Sequence, residues 1–195
     1  MKKPLFYEQA LTIWKDLSKQ EEIQPINTYG LPIHALDSFF HVGDYYYYIF
    51  DVGTGAFLYV DQKVEEILGY KSDDMHVPVF LEWIHPHDIH YFLAFESEVR
   101  DFFSKMEVKD ILHYKVSYDF RLRIASGTYI RLLQQIITIN HDDQGQILQT
   151  LGIHTDITHI KPSGTPTLSF IGLNGRPSFY NKGISSAYVP DVPSL

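Results

Sequence analysis

Between residues 114 and 124 apolar and polar side chains alternate without a break. Tyr114, Val116, Tyr118, Phe120, Leu122 and Ile124 stand against Lys115, Ser117, Asp119, Arg121 and Arg123. A period of two belongs to an extended strand, whose successive side chains point to opposite faces of a sheet. The stretch therefore predicts a β-strand with one buried side and one wet or partner-facing side. "ASGT" turns it into a second strand over 128–139, and "HDDQGQ" turns that into a third over 146–157. Three strands joined by short turns read as antiparallel.

The preceding segment adds another strand pair and helices. "YYYYIFDVGTGAFLYV" (45–60) reads as a hairpin broken at Gly53-Thr54-Gly55. A short helix is expected at "QKVEEILGY", closed by Gly69 as its C-cap. Residues 71–86 read as irregular, with "VPVFLEWI" a brief buried turn. Asp88 is placed to cap the next helix, along which Phe92, Phe95, Val99, Phe102 and Met106 recur every three or four residues. At the other end of the chain Phe6, Ala10, Ile13, Trp14 and Leu17 share one face of an amphipathic helix over 5–19, followed by a loop over 20–37. After Pro162, "TLSFIGLNGRPSFYN" reads as a second hairpin turning at Asn174-Gly175. The elements in order are two strands, short helices and three antiparallel strands, an α+β chain with an N-terminal helix and a C-terminal hairpin. The expected divisions are 1–38, 39–161 and 162–195.

Composition narrows the function classes. A chain of 195 residues, 45% hydrophobic and 15% aromatic, can bury one good core. A formal charge of −8 argues against a general binder of nucleic acid or anionic membranes. The absence of cysteine removes disulfides, thiolate catalysis and any cysteinyl adduct. No stretch approaches the ~20 apolar residues of a membrane span, and "MKKPLFYEQA" lacks the apolar core of a signal peptide. The expectation is a soluble cytoplasmic protein.

The densest cluster of potential ligands is "WIHPHDIH" (83–90), three histidines within six positions. Imidazole is the commonest neutral metal ligand, which keeps one alternative in view: a histidine-rich metal-dependent enzyme on an α+β scaffold. Against it, His85 and His87 flank Pro86 in an extended turn and should diverge, while His90 falls within the following helix. No carboxylate stands at familiar ligand spacing, so no bound metal is expected. Nor does the chain carry a nucleophile motif, a phosphate-binding glycine loop or a pair of acids set at a plausible cleft. Asp142-Asp143 and Asp73-Asp74 fall at turns, where carboxylates serve local hydrogen bonds. No catalytic activity is expected.

Taken in order, "FLYVDQKVEEILGY", "WIHPHDI", "YDFRLRIASGTYIRLLQQI" and "GIHTDIT" resemble a PAS domain over roughly residues 40–160. The family's frequent "HPDD" stretch stands here as His85-Pro86-His87-Asp88, in which the resemblance makes the proline set the turn and Asp88 cap the long helix. It also implies one five-stranded antiparallel sheet with the short helices on one face, and a sensory module that can hold a small molecule between the sheet and the helices. Two asparagines and a glutamine contact the flavin in the light-sensing relatives. Their positions fall here at Leu122, Leu132 and His154, so flavin photochemistry is not expected. Haem-binding relatives take an axial histidine from the long helix, where His90 would have to serve, and this is the lesser reading.

The same alignment directs Tyr118, Phe120, Leu122, Leu132, Gln134 and His154 inward. With Trp83 and Phe92 they would line an apolar cavity whose polar handles are Tyr118, Gln134 and His154. The opposing possibility is that side chains fill this space and the polar groups bond one another. The outward parity carries Leu133, Ile137, Ile139, Leu151 and Ile153, too much apolar surface to leave in water. A homodimer is expected through Leu133, Ile137, Leu151 and Ile153 with Ile13 and Trp14 of the N-terminal helix. Asp156 and Thr158 close the last strand, where the resemblance implies a relay to an output domain or partner. A PAS core followed by a hairpin further resembles the sensor of LuxR-type transcriptional regulators. "GISSAYVPDVPSL" cannot make a helix-turn-helix domain, so this chain is not expected to contact nucleic acid itself.

Overall fold

In the computed structural model, residues 41–182 are described. The unbroken alternation becomes strand β3 (Tyr114–Arg123), in which Tyr114, Val116, Tyr118, Phe120 and Leu122 are all buried. It pairs with β4 (Tyr129–His141), and β4 with β5 (Ile147–Asp156), both antiparallel. The early hairpin is β1 (Tyr45–Asp51) and β2 (Ala56–Val60), with β1 docked along β5. The segment after Pro162 forms β6 (Leu168–Gly172) and β7 (Phe179–Lys182). This second hairpin is not a separate appendage. β6 pairs with the free edge of β3, giving a seven-stranded sheet ordered β2-β1-β5-β4-β3-β6-β7. Asn174 and Gly175 take the turn between them with φ of 53° and 81°, the left-handed conformation that makes Asn-Gly a turn signal.

Among the described residues three α-helices cover one face: α1 (Lys63–Leu68), α2 (Val77–Trp83) and α3 (Ile89–Phe103). Gly69 ends α1 at φ 74°, its N–H bonded to Glu65 O at 3.0 Å. The stretch read as an irregular turn is in fact the two-turn helix α2. Its valines favour strands, but Pro78 at the first turn presets helical φ, and Phe80 and Trp83 bury one face. The second departure concerns Asp88. It stands at the N-cap position of α3, but its carboxylate makes no cap bond. It accepts instead from the backbone N–H, Nε and Nη2 of Arg121 on β3, at 2.8, 2.9 and 2.6 Å. Burial alone would raise this carboxyl; the Arg121 hydrogen bonds outweigh it and hold the pKa below the ordinary range.

The outer side of β3, expected to be wet or partner-facing, is partly exposed along its length except at Asp119. Residues 157–167 cross it on their way to β6, and Asp119 and Arg131 beneath are each 2% exposed. Arg131 Nη1 donates to Asp119, and Arg131 Nη2 reaches Gly164 O at 2.7 Å. Asp119 Oδ1 also accepts from Lys161 Nζ and Thr167 N–H, both at 2.9 Å. One carboxylate thus fastens the crossing segment to two strands.

Candidate functional site

The strands β1, β5, β4 and β3 are consecutive neighbours, and one row across them is polar. Tyr46 stands opposite His154, His154 opposite Gln134, and Gln134 opposite Tyr118. All four point to the helix side and are nearly or completely buried. The parity follows the strand alternation: His154 stacks on Phe80 of α2, ring centroids 5.5 Å apart and nearly parallel.

These groups bond in sequence. Tyr46 Oη lies 2.6 Å from His154 Nδ1, and His154 Nε2 lies 2.6 Å from Gln134 Oε1. Gln134 Nε2 donates to Tyr118, whose hydroxyl donates to Glu96 Oε1 on α3. With Glu96 ionised, only one orientation satisfies every member. A carboxylate only accepts, so Tyr118 must donate to it and must receive from the Gln134 amide N–H. The Gln134 carbonyl then faces His154 Nε2–H, and His154 Nδ1 accepts from Tyr46. The row is therefore a directed chain of donors running from β1 to the helix. Each such bond contributes about 1 kcal/mol net, whereas a buried group left without a partner costs ~1–3 kcal/mol.

Electrostatics agree with that orientation. Burial pulls the pKa of His154 down to about 3, which keeps the imidazole neutral and able to accept at Nδ1. Burial raises the Tyr46 and Tyr118 phenols well above their ordinary value, so both remain donors. Desolvation of its carboxyl pushes the pKa of Glu96 upward, opposed by the Tyr118 hydrogen bond. Its side chain also borders a solvent-open cleft.

That cleft, about 550 Å³, lies between the C-terminal half of α3 and the ends of β1, β3, β4 and β5. Phe50, Val99, Phe103, Val116 and Ile136 supply apolar wall, and Gln144 to Ile147 of the β4–β5 turn form its rim. None of the eight residues expected to line a cavity borders it. Trp83 stacks on Tyr70 with centroids 3.7 Å apart. Phe92 meets Tyr118 and Phe120 edge-on, at 5.8 and 5.5 Å. Phe120, Leu122 and Leu132 are completely buried in the core. Tyr118, Gln134 and His154 bond one another, as the filled-core alternative required. The open space begins where their chain ends, at Glu96.

The relay pair and the dimer positions occupy other places. Asp156 Oδ1 accepts from Thr158 N–H at 2.8 Å and Thr158 Oγ1 at 2.6 Å, and Thr158 Oγ1 accepts from Arg131 N–H at 2.9 Å. Leu133, Ile137, Leu151 and Ile153 lie half-buried on the outer face. Ile13 and Trp14 lie outside the described residues. His85 and His87 do not diverge: their rings meet edge-on with centroids 5.1 Å apart, and His85 Nδ1 accepts the His87 backbone N–H at 3.1 Å, while the His90 ring leans on Tyr91. Among the described residues no three His, Asp or Glu side chains are grouped to hold a metal ion. Two members of the chain escaped the sequence. Tyr46 is one of four consecutive tyrosines, and only the β1–β5 register selects it. Glu96 shares the inner face of α3 with Phe92, Phe95 and Val99, a polar interruption of an apolar stripe that was the available signal.

The PAS-fold family profile matches residues 57–154, half of the chain and nearly all of this core. The chain belongs to the PAS-fold family. Its PAS core is similar to the N-terminal domain of a diguanylate cyclase with PAS/PAC sensor from Marinobacter aquaeolei. That match has 21% identity and a TM-score of 0.45, over 60% of this chain and 97% of that one. A sensory box histidine kinase/response regulator from Burkholderia thailandensis aligns at 19% identity and TM-score 0.45, over 59% and 78%. Drosophila melanogaster Cycle PAS-B, with bound ethylene glycol, aligns at 18% and 0.43, over 57% and 99%. No curated protein sequence matches the chain. Among the described residues no helix of this PAS protein is long and apolar enough to cross a membrane.

Proposed function

We propose that this PAS chain is the sensory and dimerising module of a signalling or transcription-regulatory protein, of the LuxR type, acting in the cytoplasm by binding and relay rather than by catalysis. The observation that carries the reading is the directed polar chain. It runs between strands β1 and β5 and a cleft large enough for a small ligand, and β5 closes at Asp156, two residues before Thr158. A ligand that withdrew or reoriented Glu96 would leave Tyr118 short of an acceptor. The disturbance would pass in register across four strands toward that exit. The output belongs to an attached domain or partner protein, since a net charge of −8 suits no direct contact with nucleic acid. Dimerisation would use the outer face at Leu133, Ile137, Leu151 and Ile153.

Asp156→Ala in an intact regulator carrying this module tests the reading. Its output should change several-fold while the melting temperature of the PAS core moves by a few degrees at most. Output that falls only in proportion to the folded fraction would contradict it.

A further inference from the structure

We infer that the cleft beside Glu96 takes a small organic amine, an ammonium head on a hydrocarbon or aromatic body. The inference deepens the proposed sensory role and rests on the cleft's receiving a ligand at all. Two observations and one elimination carry it. First, the volume of about 550 Å³ lies in the ordinary range for small-molecule sites, and its walls at Phe50, Val99, Phe103 and Ile136 are apolar. Second, two charged side chains border it, and they are not equivalent. Arg100 is engaged by Asp101 Oδ1 at 2.7 Å and Ser97 Oγ at 3.1 Å, and its side chain is 71% exposed. Its charge is answered outside the cleft. Glu96 meets no cation among the described residues, and Tyr118 holds it from behind at one oxygen. A carboxylate has about four acceptor positions, so capacity remains for an ammonium group.

Third, the alternatives fit less well. An anion would meet the Glu96 carboxylate, and a purely apolar guest would strip its water while offering no partner. An amine places its charge on the carboxylate and its body on the apolar wall. In doing so it draws on the oxygen pair that orients Tyr118, which ties occupancy to the buried chain.

Calorimetric titration of the full chain at neutral pH with 2-phenylethylamine and with its near-isostere 2-phenylethanol tests the assignment. The amine should bind about tenfold or more tightly than the alcohol, the range expected of one charge-assisted hydrogen bond. Glu96→Gln should reduce the amine to the level of the alcohol and leave the alcohol unchanged. Equal affinities, undiminished amine binding by the variant, or no binding of either probe would overturn the assignment. Should the variant not fold, amide shifts of the unsubstituted chain decide it. Amine-induced shifts centred on Glu96, Val99, Phe103 and Thr150 support the site, and shifts centred elsewhere overturn it. None of these outcomes touches the Asp156 experiment, so the ligand class and the sensory role fail separately.

Discussion

His154 carries the sharpest residue-scale consequence. Folding holds it neutral, with burial lowering its pKa from an ordinary 6.5 to about 3. Between those values the unfolded chain binds a proton that the folded chain refuses. The stability contributed by neutral His154 is therefore whole above pH 6.5 and is lost as pH falls toward 3, by about 1.4 kcal/mol per pH unit at the steepest. His154→Gln should flatten this part of the acid-denaturation profile; an unchanged slope would deny that His154 is its source. Glu96 has the opposite sign. Its raised pKa makes the folded state the better proton binder, so its effect on stability declines as pH rises past its ordinary value of 4.5. Nitrogen chemical shifts should show His154 as the Nε2–H tautomer at neutral pH. An Nδ1–H tautomer would reverse the chain and require a protonated Glu96.

Among the elements, β5 depends on a close approach that only glycine allows. A Cβ at Gly152 would lie 2.1 Å from Tyr48 Cζ on the paired strand β1, and Tyr48 is wedged between Phe57 and His154. Gly152→Ala should destabilise the core by about 1–3 kcal/mol, measured by denaturant unfolding, because the ring has no free space to retreat into. On the outer face, Asp119→Ala strands the buried Arg131 guanidinium. It should cost about 3 kcal/mol or more and free residues 157–167 to proteolysis. Neither contact could be read from the chain, although the strands that make them could. Alternation fixes the parity of β3, and turn residues bound β4 and β5, because both signals are local. The pairing of β6 with β3 and the burial of Asp119 depend on where a crossing segment lies, which no periodicity encodes. The candidate site divides the same way. The PAS alignment directs Tyr118, Gln134 and His154 inward, whereas Tyr46 needed a cross-sheet register, Glu96 a helix rotation and the cleft the packing of α3.

For the molecule as a whole, a filled aromatic core and an adjoining cleft are two ends of one polar row. In the proposed reading such a PAS module takes its ligand beside the exposed Glu96 carboxylate on α3 and sends its signal out at Asp156–Thr158, with the sheet between them. The homodimer, if it forms through the outer face, would set the exits of two such sheets side by side, and light scattering at tens of micromolar should give twice the mass of 22.7 kDa. A monomeric mass would leave the relay to act within one chain. The relay itself can be tested without knowing the ligand. Val99→Trp fills the cleft with a side chain and displaces Glu96, and amide hydrogen exchange then reports on every strand. Faster exchange along β4 and β5 and through residues 157–167, with α1 and β2 unchanged, is the outcome expected of a connected chain. Exchange altered only in α3 and the β4–β5 turn would contradict it.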